Sequence, residues 1–502
     1  MKRMKRIASM FALLLTVSLL VQSVDAGAVA GETHYTYTYD CWGEDRESPD
    51  AYAVTRTITG ANFKDCGNFK APEGLYVIGN MTYVVDTGNN RIVQLEYSND
   101  EFKFIREIKE IMNDGKKENL SGPKDCYVTE EGEIYIADTG NKRILHLDKD
   151  LNVIKVITRP VNDTVDQTVD FLPVKLVVDS AKRIFANVQN VNKGFMEFDK
   201  QGEFTGYVGA SEVTFDFLDY LWKLVASKEQ KEQLESFVPT EYSNLCLDSE
   251  GFIYSTISKF DSNSFADVIA AKPVRKLNAK GTDILVRNGY EDPIGDYYYT
   301  DTGELSGPSM FVDVCALPND TYYCLDNTRG RIFAYDFQGN FLYAFGGHGY
   351  REGYFINPMA IEDLEDTLIV LDMDLGSITQ LTLTEYGTLI NQGLAEYKIG
   401  QYKESAETWK KVMKLNGNYD LAYIGIGRAL LRTEDYKGAM DYFELKLDDT
   451  NYSKAYKLYR KEQIEENIVY VVIILILIIL LGYGRGFLKR AKEEVKKDEN
   501  QR

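Results

Sequence analysis

The chain has 502 residues, with 57 Lys and Arg against 77 Asp and Glu, a formal net charge of −20. That balance argues against DNA and RNA as partners, which need concentrated cations. A hydrophobic content of 44% is enough for real cores in two or three domains. At the N-terminus Lys2, Arg3, Lys5 and Arg6 precede an apolar stretch from Ile7 to Val21, and Val24-Asp25-Ala26 or Ala28-Val29-Ala30 offers a cleavage site. Residues 1–30 therefore read as a secretory signal peptide. The first cysteine is Cys41, too distant to carry a lipid at a mature N-terminus.

From Ala51 onward the chain repeats itself. Val84–Leu95 (VVDTGNNRIVQL) and Ile136–Leu147 (IADTGNKRILHL) are nearly the same segment 52 residues apart, and weaker copies run from Cys324 to Tyr335 and from Val370 to Leu381. Each copy reads as a β-hairpin: an apolar run ending in Asp, a Gly/Asn-rich turn, then a run that opens on Arg. The Asp carboxylate is expected to accept from turn N–H groups. Pro72, Pro123, Pro173, Pro239, Pro308 and Pro358 recur at one phase ahead of these hairpins. Proline suits the start of an innermost strand, so six phases predict six blades of a β-propeller. In the third and fourth blades Asn187 and Ser255 stand where the Asp is expected.

The segment from Cys324 to Pro358 carries a turn, an Arg, a D-x-x-G-x-F run and a Gly-rich crossing in the order of the NHL repeat, and the chain from about Ala51 to Tyr386 resembles the NHL-repeat propellers. The resemblance implies a fold that hosts enzymes and binding modules alike. The last blade runs out of strands near Tyr386, and Ala51–Gly60 (AYAVTRTITG) is expected to close the ring by pairing antiparallel with Ile378–Leu383.

Strand direction sorts the loops. Turns between strands one and two, and three and four, are short, as at Glu130–Gly132, Asp199–Gly202 and Asp248–Gly251; the opposite face receives Thr158–Asp170, Ser211–Phe237, Ser258–Lys272 and Gly289–Gly307. The longest insertion, 211–237, reads as helical around Trp222. The last holds Tyr290, Tyr297, Tyr298 and Tyr299 among Asp292, Asp296 and Asp301. Rigid aromatics beside acceptors suit a glycan or a protein partner, although 35 tyrosines in a β-rich chain also serve sheets. Trp222, Tyr290 and Tyr297–Tyr299 are thus the candidate partner-binding residues. Arg91, Arg143 and Arg331 are expected to pair with Asp86, Asp138 and Asp326 of their own hairpins and to fix them.

No catalytic residue is assigned. Propellers related to the NHL family include lactonases with a central divalent metal and zinc-dependent amidating lyases. His34, His146 and His348 fall in unrelated parts of the repeat and do not suit a zinc site. Carboxylate-bound Ca²⁺ in the channel stays open, with no distinctive spacing to locate it. Six cysteines in an exported chain pair in fifteen ways. A Cys315–Cys324 bridge across the Leu-Pro-Asn-Asp turn and free core thiols both stay open.

After the propeller the period becomes helical. Gly393, Tyr402, Ser405 and Trp409 return 34 positions later as Gly427, Tyr436, Ala439 and Phe443. This resembles a pair of tetratricopeptide (TPR) units within residues 388–466, with small residues admitting Trp409 and Phe443 and a helix from Ser453 to Glu466 as the cap. Ile468–Leu481 is wholly apolar, and with Gly482–Gly484 the run reaches 17 residues, the lower limit for a spanning helix. Residues 467–484 are read as the membrane span and 485–502 as a basic tail. Glu462, Glu465 and Glu466 precede the span, and Arg485, Lys489, Arg490, Lys492, Lys496 and Lys497 follow it, so the C-terminus is expected in the cytoplasm and the propeller outside. The expectation is a membrane-anchored binding or scaffold protein. A metal-dependent lactonase or hydrolase, and an accessory subunit of a carbohydrate transporter complex, are the alternatives.

Overall fold

The computed structural model describes residues 35–209, 241–260, 265–297 and 307–499. Residues 1–30, read above as a signal peptide, the insertion 211–237 with Trp222, and Tyr298 and Tyr299 lie outside the described residues. Six sheets stand around one axis, with innermost strands Gly74–Ile78, Asp125–Val128, Pro173–Val178, Glu241–Leu247, Phe311–Ala316 and Pro358–Leu364. Each innermost strand packs against the next, and the last returns to the first, so the ring is closed. The sheets are blades 1 to 6 in this order. Pro173 and Pro358 open their strands, and Pro72, Pro123 and Pro308 stand two or three residues ahead of theirs. At those positions the missing N–H costs no ladder bond.

Blades 1 to 3 each have four antiparallel strands in sequence order, and blade 4 has three among the described residues. Blade 6 takes its fourth strand from the start of the chain: Tyr52–Thr59 pairs antiparallel with Ser377–Leu383, with Ile58 opposite Ile378 and Tyr52 opposite Leu383. Closure thus covers what would be an open edge. Blade 5 is unexpectedly wide. Thr36–Tyr39 adds to Phe341–Gly346, and Asp45–Glu47 adds to Thr36–Tyr39, giving six strands. The alternation Tyr35-Thr36-Tyr37-Thr38-Tyr39 is the signal for that extra strand.

Helix α1 (Phe265–Ala271) lies in the insertion of blade 4. Helices α2 (Glu385–Lys398), α3 (Tyr402–Leu415), α4 (Asp420–Arg432) and α5 (Tyr436–Leu445) follow the propeller and pack each against the next. Small residues set their separation. A Cβ on Gly393 would meet the Trp409 ring at 3.1 Å, and one on Gly427 would meet Phe443 at 2.6 Å. Helix α6 (Asp449–Glu499) packs Ala455 against the α5 side and then runs on alone for the rest of its 51 residues. Its apolar stretch from Ile468 to Leu481 is exposed throughout, and it is the one helix among the described residues long and apolar enough to cross a membrane.

The helices share a core with the propeller. Tyr52, Tyr323, Tyr343 and Phe345 of blades 5 and 6 form one buried cluster with Tyr386, Trp409, Tyr419 and Ile426 of the helices. Hydroxyls inside it are satisfied: Tyr52 donates to Tyr323 at 3.0 Å, and Tyr419 donates to the Leu342 carbonyl at 3.0 Å, as buried polar atoms require. Eight of the twelve largest fully buried side chains are tyrosines, so much of the tyrosine abundance is core and joint. Contacts from Lys398 to Asp320 and from Arg428 to Gln338 place the helices against the short turns of blade 5. The loop Thr158–Asp170 is on the other face, where Asp170 pairs with Lys142 of the blade 2 hairpin turn.

Candidate functional site

The hairpin Asp residues act on more than their turns. Asp86 Oδ1 accepts from Lys70 N at 2.7 Å, and its Oδ2 accepts from Asn89 Nδ2 and Arg91 Nε at 2.8 and 2.7 Å. Asp138 repeats the set with Ser121 N, Asn141 Nδ2 and Arg143 Nε. Each carboxylate therefore ties its hairpin to the segment leading into its own innermost strand. Blade 5 departs from expectation. Arg331 stands opposite Asp326 in the ladder, but its guanidinium pairs with Asp296, which the loop after blade 4 inserts beside it. Asp296 also accepts from the hydroxyls of Tyr37, at 2.8 Å, and Tyr39. Asp326 is satisfied instead by Met310 N, Thr328 N and Ser309 Oγ. A second carboxylate, delivered by the segment after blade 4, competes for the one guanidinium.

The channel along the propeller axis holds a cavity of about 170 Å³ lined by Asp125, Lys175, Asn244, Asp313 and Glu362 from five different blades. Asp125 Oδ2 accepts from Leu176 N at 2.8 Å, and Asp313 Oδ2 accepts from Ile361 N at 2.7 Å, so each carboxylate stitches its blade to the next. Asn244 Nδ2 donates to Asp313 Oδ1 at 2.5 Å. Lys175 Nζ lies 3.7 Å from Asp125 Oδ1 and donates to the Glu73 carbonyl at 3.4 Å. Burial pushes the Asp313 carboxyl up to about 7 and holds Glu362 well above the usual carboxylate range, with neighbouring carboxylates adding to the latter shift. Burial works against the Lys175 ammonium, but the charges of Asp125 and Asp313 more than offset it and raise its pKa. The channel is thus a self-compensating acid cluster around one cation.

Calcium does not fit that cluster well, since Lys175 already stands among the carboxylates. Among the described residues one set of three acidic groups brings its oxygens within 4.8 Å of one another: Asp248, Glu250 and Asp320. Lys276 Nζ lies 2.8 Å from Asp248 and 3.9 Å from Asp320, and Lys398 also pairs with Asp320. Ammonium groups fill the place a metal would take. His146 stacks on Tyr135 and bonds Glu133 at 3.1 Å, and it belongs to no set of three candidate metal ligands among the described residues. The six cysteines are free thiols. Cys324 stands opposite Val314 while Cys315 stands opposite Tyr323, so the two thiols point to opposite faces of the sheet and a bridge between them is ruled out.

The candidate partner residues separate. Tyr297 is half-buried at the loop-bearing face. Tyr290, expected beside it, is at the other end of blade 5, 48% exposed in a cleft with Gln338 and Arg428. The chain threads along the blade: just before Tyr290, Asn288 N donates to the Gln338 carbonyl, and between the two tyrosines Ile294 is buried and Asp296 reaches Arg331. That burial is what divides one tyrosine cluster into two sites. On the loop-bearing face, Val165, Phe171, Val191, Met196 and Tyr207 line a pocket of about 200 Å³. The cleft holding Tyr290 is larger, about 750 Å³, and lies between the Phe337–Asn340 turn, α4 and the start of α6. Sequence reading missed this cleft because its walls come from distant elements, with Gln338 and Arg428 90 residues apart.

No protein-family model matches the chain, and no curated protein matches it in sequence. Similar solved structures include virginiamycin B lyase from Staphylococcus aureus, at 12% identity and a TM-score of 0.37 over 66% of this chain and 100% of that one. A streptogramin B lyase structure is similar at 12% identity and a TM-score of 0.39, over 67% of this chain and 100% of that one. KlHsv2 with loop 6CD replaced by a Gly-Ser linker follows at 7% identity and a TM-score of 0.32, over 60% and 88%. Similarity at this level transfers no activity. The fold assignment rests on the closed ring of six sheets described above.

Proposed function

We propose that this chain is a membrane-anchored binding or scaffold protein: an NHL-like propeller and a short TPR-like stalk outside the cell, one spanning helix, and a basic cytoplasmic tail. The observation that carries the reading is the shared core of Tyr52, Tyr343, Tyr386, Trp409 and Tyr419. It fixes the propeller to the helices that lead into the apolar stretch of α6. A propeller held rigidly at one face and free at the other is built for display. The free face carries the long loops, Tyr297 and the 200 Å³ pocket, and a protein or glycan partner is assigned there together with Trp222, Tyr298 and Tyr299. An attached transporter complex is one partner of this kind. Protease added to intact cells tests the topology: it should remove the propeller and helices and spare an epitope after Lys497, and a protected propeller overturns the assignment. Partner capture from detergent-solubilised membranes tests the site. Replacing Trp222, Tyr297 and Tyr298 by Ala should abolish capture, since central aromatics typically contribute about 2 kcal/mol or more; retained capture places the partner elsewhere.

A further inference from the structure

The cleft beside Tyr290 belongs to neither the loop-bearing face nor the channel. Its volume of about 750 Å³ lies within the range of small-ligand sites, about 300–1,000 Å³. A protein partner would instead need about 800 Å² of surface from each side. The chain carries a net charge of −20, yet the charged lining here is Arg428, Arg432 and Lys454 against Asp448 alone. The three cations make no ion pair among the described residues. Arg428 Nη1 donates to the Gln338 amide oxygen at 2.7 Å, Arg432 Nε to the Tyr397 hydroxyl at 3.4 Å, and Lys454 Nζ to the Asn451 amide oxygen at 3.4 Å. Arg428 also feels the buried carboxyl of Asp336 behind the turn, whose oxygens are already bonded by Gln338 N and by Asn340 N and Nδ2. Asp448 is committed too, accepting from Asn451 N at 3.0 Å and Nδ2 at 2.6 Å as the cap of α6. Guanidinium and ammonium donors therefore remain for a ligand.

We propose that this cleft binds an acidic oligosaccharide. Its carboxylate lies against Arg432 and Lys454, one sugar ring packs on the exposed face of Tyr290, and hydroxyls meet the side-chain amides of Asn288 and Gln338, which offer donor and acceptor together. Arginine matches a carboxylate in two-point geometry, and an aromatic face with amides suits the alternating apolar and hydroxylated surface of a sugar. Lipid headgroups are out of reach: Lys454 precedes Ile468 by about 21 Å of helix at 1.5 Å per residue, whereas the headgroup layer on each side is only about 5–8 Å deep. The proposal rests on the reading of the chain as an exported, membrane-anchored binding protein.

The test is calorimetric titration of the full-length protein in phosphatidylcholine nanodiscs with a galacturonic acid tetramer, a neutral galactose tetramer and a hexaglutamate peptide. The uronate should bind, should weaken as salt rises, and should weaken at least tenfold in R432Q/K454Q and again in Tyr290→Ala, while the neutral tetramer should bind at least tenfold more weakly than the uronate. Both altered cations are exposed, so thermal unfolding of R432Q/K454Q should match that of the parent and exclude misfolding as the cause. No uronate binding, or equal binding to the double variant, overturns the proposal; hexaglutamate binding as tightly as the uronate overturns the sugar assignment. The two readings fail separately. Partner capture at the loop-bearing face should be unchanged in R432Q/K454Q, and a propeller protected from protease would refute export whatever the titration shows.

Discussion

The channel and the cleft use charge in opposite ways. In the channel, Asp125, Asp313 and Glu362 converge from three blades, and the protein supplies their compensation itself with Lys175, Asn244 and backbone N–H groups. In the cleft, Arg428, Arg432 and Lys454 converge from two helices and meet neutral acceptors. The first arrangement holds blades together; the second leaves charge to be met from outside. Counting buried charges would have ranked the channel as the site, whereas counting unmet ones points to the cleft.

The largest test of the contrast removes the channel altogether. Deleting Ala51–Gly60 strips blade 6 of its fourth strand and exposes the edge of Ser377–Leu383; the ring should lose its cooperative unfolding transition, a loss comparable to a domain's whole stability of roughly 5–15 kcal/mol. An unchanged thermal melt would refute the closure. Next in size, Lys175→Met leaves the channel carboxylates without their cation and should cost about 3–5 kcal/mol near neutral pH and above, as breaking a buried pair does. The cost should shrink in acid, where Asp313 and Glu362 are protonated. Denaturant unfolding at both pH values checks this, and an equal loss at both would mean that Lys175 is not compensating charge.

Asp313 gives the third effect. Its carboxyl is raised from 3.8 to about 7, so the folded state holds the proton more tightly than the unfolded state does. Its stabilising contribution is therefore complete below about pH 4 and is lost as the pH rises through about 7. Replacing Asp313 by Asn removes that slope, and the variant should gain on the parent by up to about 4 kcal/mol between acid and mildly alkaline conditions. Parallel pH slopes in the two proteins would discredit the assignment. The smallest effect is expected in the cleft, where Arg432→Gln with Lys454→Gln should change stability by less than about 0.5 kcal/mol. A larger loss would make these cations structural, and the contrast between the two regions would fail.

The fold was legible where local chemistry repeats. The prolines ahead of the innermost strands and the Asp-turn-Arg hairpins follow from short-range pattern, and the pairing of Ala51–Gly60 with the end of blade 6 follows from the strand count, which leaves that blade one strand short. The spacing of Gly393 and Gly427 likewise located the partners of Trp409 and Phe443. What sequence reading missed depends on residues brought together from distant segments. Asp125, Lys175, Asp313 and Glu362 share no motif, because each is one inward position on a strand of a different blade. Asp296 takes Arg331 from Asp326 only because the chain after blade 4 passes along blade 5. Tyr290 and Tyr297 look like one cluster in sequence, and the buried Ile294 between them separates their surroundings.

Closing the ring with its own beginning also sets a schedule for assembly. Thr59 leaves the ribosome about 320 residues before its partner Ser377, which at 5–20 residues per second is roughly 16–64 s of synthesis. Through that interval Tyr52–Thr59 is without its partner strand, and the ring cannot close. The chain must therefore be guarded against premature edge pairing with other molecules until blade 6 arrives. The apolar stretch of α6 is made only after that blade, so the order of the chain lets the ring close before the one helix long and apolar enough to cross a membrane among the described residues is complete.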